Sequence, residues 1–224
     1  MTEYEKYIRV PELLALQRDS APGGLVNHDE LMFQTVHQVA ELWMKLVLHE
    51  IRAAVRSWTG GDVRTATHRL RRAAEIETLL AAQMPLLTLM PPKEYHAIRM
   101  TLGRGSGQDS PGFNRLLECP AEVWPPFLEL LRSRGVTLAE IHRDPAAHEE
   151  MYALVAAMMD LDEGFQRFRY NHFALVRRII GDQVRSLKGV PAAQLAQGTT
   201  EPMFPELWTS INVLTREHTG EAPY

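Results

Sequence analysis

Several features that would place this chain in other classes of protein are missing from it. Cys119 is the single cysteine, which excludes an intrachain disulfide and favours a reducing environment. No apolar run approaches the roughly 18 residues that a membrane span needs. Residues 1–9 are charged and aromatic and lack the apolar core of an export signal. The sequence therefore predicts a cytoplasmic protein with no membrane partner.

The chain also lacks an excess of basic residues. Its formal net charge is -4, whereas a nucleic-acid-binding protein usually carries a positive excess. Three arginines do cluster, at Arg69, Arg71 and Arg72, but at that spacing on a helix they are typical of a solvated face. We expect no nucleic-acid partner.

The local motifs of several enzyme classes are absent as well. No glutamate is followed by histidine three positions later, which disfavours a carboxylate-bridged di-iron bundle. Zinc-binding His-Glu-x-x-His, phosphate-binding glycine loops that follow a strand, and the serine-nucleophile elbow are missing too. Any chemistry in this chain must therefore depend on side chains that are distant in sequence.

The hydrophobic pattern is helical nearly throughout. Apolar residues recur at three- and four-residue steps, and Gly, Pro, Asp and Ser mark the breaks. The pattern predicts helices over 29–58, 62–83, 92–103, 120–134, 145–180 and 205–217, with loops over 104–112 and 182–203. With no strand run and no repeat, the predicted class is all-α, a helical bundle formed by one domain over residues 1–224.

Histidines are the most informative side chains. Phe33 and His37 lie one turn apart on a predicted helix and so share a face, and Phe168 and His172 repeat this spacing. A helical histidine of this kind is often no more than a partly buried core residue, but it is also the usual axial ligand of heme iron.

A second pair, Tyr95 and Arg99, has the spacing of one helical turn. Together these side chains are suited to bind a carboxylate, the guanidinium through two hydrogen bonds and the phenol through its hydroxyl. The alternative is a surface pair without a ligand.

Taken in order along nearly the whole chain, these motifs resemble the tryptophan 2,3-dioxygenase family. The matching segments are Tyr4-Glu5-Lys6-Tyr7; His28-Asp29-Glu30 with Phe33, His37-Gln38, Glu41-Leu42-Trp43 and Lys45; Leu48-His49-Glu50; Tyr95 with Ile98-Arg99, Leu102-Gly103 and Ser106-Gly107; Asp162-Glu163 with Phe165, Arg169, His172 and Ile179-Ile180-Gly181; and Phe204-Pro205-Glu206-Leu207-Trp208.

The resemblance implies a role for each matched residue. His172 corresponds to the proximal ligand of a heme b iron, and His37 to the distal histidine that faces the indole N–H. Phe33 corresponds to the aromatic residue that packs on the indole. Arg99 corresponds to the partner of the substrate carboxylate, with Tyr95 beside it. The resemblance thus implies a heme pocket enclosed by the bundle, with O2 and a tryptophan-like amino acid as substrates.

Further positions carry over in the same way. Leu102 and Ser106 match other pocket positions. Tyr4 and Tyr7 match tyrosines that reach the site from a neighbouring subunit, so residues 1–27 are expected to contact a partner within a homotetramer.

Two stretches depart from the family. The segment between Arg115 and Asp162 is shorter, and the Gly-Thr-Gly-Gly loop is absent after Gly181. In the family the loop threonine contacts the substrate ammonium group. Here Ser186 or Leu187 takes its place, depending on a one-residue shift of the alignment.

The altered loop leaves three functions open. Mono-oxygenation at indole C2, giving a 2-oxindole, is the favoured expectation, because the change lies close to the chemistry. Ring cleavage to N-formylkynurenine by a true dioxygenase is the alternative. A non-catalytic heme or amino-acid sensor that kept the pocket is a third.

Overall fold

A computed structural model describes residues 1–103, 105–181, 183–184, 189, 191 and 194–220. Its regular elements are ten α-helices and two short 3-10 turns, so the all-α prediction is confirmed. None of the described helices is both long and apolar enough to cross a bilayer. The helices are α1 Glu3–Ile8, α2 Val10–Leu13, α3 Asp29–Thr59, α4 Val63–Leu87, α5 Pro92–Thr101, α6 Pro111–Arg134, α7 Leu138–Arg143, α8 Glu149–Ile179, α9 Gln194–Gly198 and α10 Pro205–Thr219.

The core is built around α4. This helix packs along both α3 and α8, which have 31 residues each and are therefore about 46 Å long. Their facing stripes bury residues such as Leu70, Leu80 and Met158 almost completely. The helix α6 packs on α3, and the short α5 contacts both α3 and α8. Two long helices that carry the predicted histidines are thereby held on either side of one central helix.

Helix ends follow the sequence signals. The side chain of Asn27 accepts hydrogen bonds from the amides of Asp29 and Glu30 and so starts α3. Gly60 ends that helix, and Asp62 starts α4 by accepting from the amide of Thr65 at 2.9 Å. These boundaries agree with the sequence prediction.

The predicted start of the fourth long helix at Pro120 was wrong. The helix α6 begins at Pro111, where Ser110 accepts from the amide of Phe113, and Pro120 lies inside it. Serine at the cap with proline directly after it is a recognised start signal. The three later prolines of α6 concealed that signal, since proline inside a helix removes a backbone donor. The predicted loop over 182–203 also contains α9.

The expectation of a solvated arginine cluster on α4 holds for Arg71 and Arg72, which are exposed, and fails for Arg69. Arg69 is partly buried and donates to the carbonyl of Ala53 and the hydroxyl of Ser57 on α3, at 2.7 and 2.6 Å. Arg72 pairs with the buried Glu50 at 2.8 Å. Arg69 and Arg72 therefore join α4 to α3.

One buried carboxylate attaches the C-terminal helix to the core. Asp162 on α8 accepts from the amides of Met203 and Phe204 at 2.9 and 3.1 Å, and from the indole N–H of Trp208 at 2.9 Å. Its charge faces the N-terminus of α10, where the helix dipole is positive. The start of α10 is thus fixed to the middle of α8.

A second buried carboxyl, that of Glu77 on α4, has no such donors. Its side chain is fully buried, and neither oxygen has a hydrogen-bond partner in the part of the chain that the structure describes. Gly164 on α8 makes room for it, since a Cβ there would lie 2.8 Å from the Cβ of Glu77. Burial raises the pKa of Glu77 to about 8, so the group is a neutral acid at pH 7.

This raised pKa predicts a pH-dependent stability. The pKa of Glu77 is about 4.5 in the unfolded chain and about 8 in the folded chain, so stability falls as the pH rises through this window. Glu77→Met removes the titrating group, and at pH 7 it should stabilise the fold by roughly 3 kcal/mol relative to the native protein. Urea unfolding at pH 5 and pH 8 measures the difference. Glu75→Met, at an exposed position of α4, is the control. An equal pH slope in native protein and Glu77→Met would contradict the assignment.

Candidate active site

Two aromatic side chains of α3 form one wall of the site. Phe33 and His37 are one helical turn apart, and their ring centroids lie 4.1 Å from each other at a tilt of 38°. The ring of Tyr95 on α5 lies 6.2 Å from that of Phe33. The predicted sharing of a face by Phe33 and His37 is therefore observed, and α5 extends the wall.

The hydrogen bond of His37 determines its tautomer. Its Nδ1 lies 2.7 Å from the carbonyl oxygen of Phe33, which has no proton to donate. Nδ1 therefore carries the proton, and Nε2 presents a lone pair. His37 is exposed as a residue, but the surrounding protein atoms lower the pKa of its imidazole by desolvation, against smaller opposite effects of the Phe33 carbonyl and Glu41. His37 is thus a neutral hydrogen-bond acceptor.

The helix α5 places a cation beside this wall. Asn27, just before α3, donates to the carbonyl of Glu94 at 2.9 Å and so holds the first turn of α5 against the start of α3. Tyr95 and Arg99, one turn apart, are both partly buried. Burial raises the pKa of the Tyr95 hydroxyl, and the charge of Arg99 lowers it in part, so the phenol stays protonated next to the guanidinium.

His172 lies near the C-terminal end of α8. Its ring stacks on Phe168 with 6.4 Å between centroids, and the neighbouring Asn171 donates to the carbonyl of Ala81 on α4 at 3.2 Å. Desolvation, with a smaller contribution from His37, lowers the pKa of His172 to about 4. His37 is close enough to act electrostatically on the pKa of His172, and at neutral pH both imidazoles are uncharged.

A turn of the chain over residues 105–110 lies next to His172. A Cβ added at Gly107 would lie 3.6 Å from the Nε2 atom of His172, an ordinary van der Waals contact, so Gly107 borders that nitrogen. Ser106 caps the turn, with its amide 2.9 Å from the Asp109 carboxylate. We call the group of Phe33, His37, Tyr95, Arg99, Gly107 and His172 the two-histidine site.

The structure does not bring every sequence-predicted residue into this site. Tyr4 and Tyr7 on α1 remain 69% and 89% exposed, and neither α1 nor α2 contains a buried residue. Leu102 ends α5 with 37% of its surface exposed. Ser186 and Leu187 lie outside the described residues.

Sequence reasoning missed two contributors. Gly107 was named within a motif but given no role, and Asn171 was not considered. Neither has a local signal of its own, because their importance comes from contacts with His172 and with Ala81 of another helix. Two charged surface grooves, of about 350 and 290 Å³, lie elsewhere, between α4 and α8 and between α3 and α6.

Fold and site together define a helical protein that holds two neutral imidazoles close to each other, with an aromatic wall and a guanidinium beside them. Known proteins have similar sequences over most of the length of this chain. The sequence profile of the family described as tryptophan 2,3-dioxygenase matches residues 1–120. The tryptophan 2,3-dioxygenase of Herpetosiphon aurantiacus is 31% identical, with 92% of this chain and 95% of that protein aligned.

Two further relatives give the same result. The tryptophan 2,3-dioxygenases of Erythrobacter litoralis and Caulobacter vibrioides are 30% and 28% identical, over 91% and 92% of this chain. This chain belongs to the tryptophan 2,3-dioxygenase family, and the expectation of an enzyme of that family is confirmed. The Caulobacter alignment extends over 257 residues, more than the 224 of this chain, so the relative contains additional sequence.

The family implies heme, and the residues of the two-histidine site fit it. His172 offers a deprotonated nitrogen at neutral pH, as iron ligation requires, and its pKa of about 4 removes competition from a proton. Phe168 and Phe113, whose centroids are 6.2 Å apart, add apolar surface near that imidazole. His172 is therefore the candidate for the residue that would hold the iron.

Proposed function

We propose that this chain is a heme-dependent dioxygenase that converts L-tryptophan to N-formylkynurenine. In this reaction the C2–C3 bond of the indole breaks, and each carbon receives one atom of the same O2 molecule. The product is tryptophan plus two oxygen atoms, so no external reductant is consumed. When bound, heme supplies the iron at which O2 is activated.

The observation that carries the proposal is the tautomer of His37. Its proton is engaged by Phe33, so the free Nε2 lone pair is an acceptor for an indole N–H. Phe33 offers an apolar ring surface for the flat substrate. An indole held between these groups has a fixed orientation, which is a major part of what a protein contributes to an oxygenation.

Arg99 is the proposed partner of the substrate carboxylate. It lies one turn from Tyr95, whose protonated hydroxyl is a second donor. Two donors of this kind select an amino acid over a bare indole. His37 would act on the ring and Arg99 on the carboxylate, so the substrate would be held at both ends. Leu102 and Ser106 are proposed as further lining.

We favour dioxygenation over the oxindole-forming reaction, which was expected from the altered sequence after Gly181. Ser186 and Leu187, on which that expectation depended, lie outside the described residues. The relatives described above are all named as dioxygenases. The proposal therefore rests on the residues that match the family pattern, which include Phe33, His37 and Arg99.

Labelled oxygen tests the reaction. The heme-loaded, reduced protein is given L-tryptophan and ¹⁸O2, and the product is weighed by mass spectrometry. We expect two labelled atoms and the absorbance of a ring-opened product. One labelled atom would establish the oxindole-type reaction. No product, with a normal heme spectrum and no O2 uptake, would establish the sensor.

The same assay with 3-methylindole, which lacks the amino-acid group, tests whether the substrate carboxylate contributes to the reaction. Loss of about 3 kcal/mol of charge-assisted hydrogen bonding predicts a kcat/KM roughly 100-fold below that for tryptophan. Equal values would remove Arg99 from the proposal.

The homotetramer implied by the resemblance stays a proposal, as does the single domain over 1–224. The tetramer is supported by the exposure of Tyr4 and Tyr7, which lie on α1 at the start of the chain, where neither α1 nor α2 contains a buried residue. A neighbouring subunit would cover these rings at its own site.

A further inference from the structure

Glu41 joins two parts of the two-histidine site that lie on different elements. It lies on α3, one turn after His37. Its carboxylate accepts from the hydroxyl of Ser110 and, at 3.0 Å, from the amide of Gly112. Both donors belong to the start of α6, where a negative charge is also favoured by the helix dipole.

The contact at this point is unusually close. A Cβ added to Gly112 would lie 2.7 Å from a Glu41 carboxylate oxygen and 2.9 Å from the Cβ of Met44. No larger residue fits there without movement of backbone or side chain. The two helices α3 and α6 therefore meet at a fixed separation, set by one carboxylate and one glycine.

The start of α6 is continuous with the turn next to the proximal histidine. Ser110 both ends the 3-10 turn Gly107–Asp109 and caps α6. Gly107, three residues earlier, lies beside the Nε2 atom of His172. The hydrogen bonds of Glu41 thus connect the helix that carries His37 to the backbone that borders His172.

We propose that Glu41 is a positioning residue for the oxygenation: it fixes the separation between the distal histidine on α3 and the 105–110 turn beside His172. The inference rests on the proposed function. Glu41 touches neither substrate nor iron, and it acts through Ser110 and Gly112.

Glu41 also places a negative charge near His37, but position and charge can be separated by two variants. Glu41→Gln removes the charge and replaces an acceptor oxygen by a donor group. Gly112→Ala leaves the charge and pushes the carboxylate away. Glu118→Gln, at an exposed position of α6, is the control for loss of a surface carboxylate.

Hydrogen exchange of the heme-free protein tests the connection itself. Glu41→Gln should speed the exchange of amides in residues 105–113 by about 10-fold, because the hydroxyl of Ser110 and the amide of Gly112 lose a charged acceptor. Should Gly112→Ala fail to fold, Glu41→Gln alone decides this step. Unchanged exchange in Glu41→Gln would overturn the proposal.

The heme-loaded protein tests the positioning. The C–O stretching band of its ferrous CO form reports the surroundings of the distal side without turnover. We expect Glu41→Gln and Gly112→Ala to shift or split this band and to lower kcat about 10-fold, with a smaller change in KM. Glu118→Gln should match the native protein in each measurement.

The outcomes are distinct. Faster exchange with a native C–O band and native kcat would make Glu41 a helix cap and overturn the positioning role. If the native protein does not oxidise tryptophan, the proposed function fails, and the C–O band together with the exchange rates still decides whether Glu41 positions the site.

Discussion

We expect His172→Ala to abolish stable heme binding and, with it, the proposed oxygenation of tryptophan. The imidazole that this substitution removes is neutral at pH 7, because desolvation lowers its pKa to about 4. It lies at the end of a helix held by Asn171 and stacked on Phe168. No methyl group can replace an axial nitrogen ligand.

Absorbance titration with hemin measures the effect. We expect the spectrum of histidine-ligated heme to disappear in His172→Ala and to return in part when free imidazole is added. His68→Ala, an exposed position of α4, is the control and should bind heme normally. An unchanged heme spectrum in His172→Ala would show that another residue is the ligand.

We expect Asp162→Ala to detach the C-terminal helix and to destabilise the whole fold. The substitution leaves the amides of Met203 and Phe204 and the indole N–H of Trp208 without their acceptor. Each buried donor without a partner costs about 1–3 kcal/mol, so a total loss of roughly 4 kcal/mol is expected. For a chain of this size that corresponds to a fall in Tm of about 10 °C.

Thermal unfolding followed by circular dichroism provides the measurement. Asp160→Ala, an exposed carboxylate on the same helix, should leave Tm close to the native value. Asp162→Asn keeps one acceptor oxygen and should fall between the two. A Tm within about 2 °C of native in Asp162→Ala would mean that packing, and not this carboxylate, holds α10.

Much of the fold could be predicted because its signals are local. Gly60 and Asp62 mark the boundary between α3 and α4, and periodic apolar residues reveal the long helices. The start of α6 was missed since its prolines resemble helix breaks, although Ser110 and Pro111 carried the correct signal. Arg69 looked like a surface residue because its acceptors, on α3, are not visible from its own helix.

The candidate site was predictable only in part. The shared face of Phe33 and His37 follows from helical geometry. The approach of His172 to His37 does not, since these residues are 135 positions apart and only the packing of α3 and α8 on α4 brings them together. The resemblance supplied this pairing. The burial of Glu77 could not be predicted either, because a carboxylate at a core position interrupts the apolar pattern from which buried positions are identified.

The attachment of α10 by Asp162 affects how much the connection between α8 and α10 can vary in length. The chain leaves α8 at Ile179 and is fixed again at Met203, so the stretch between them begins and ends on the same rigid helix. Changing the length of such a connection costs little, since even a doubling adds only about 0.6 kcal/mol of closure entropy. An insertion or deletion between α8 and α10 is therefore expected to change the free energy of unfolding by less than loss of the Asp162 carboxylate does.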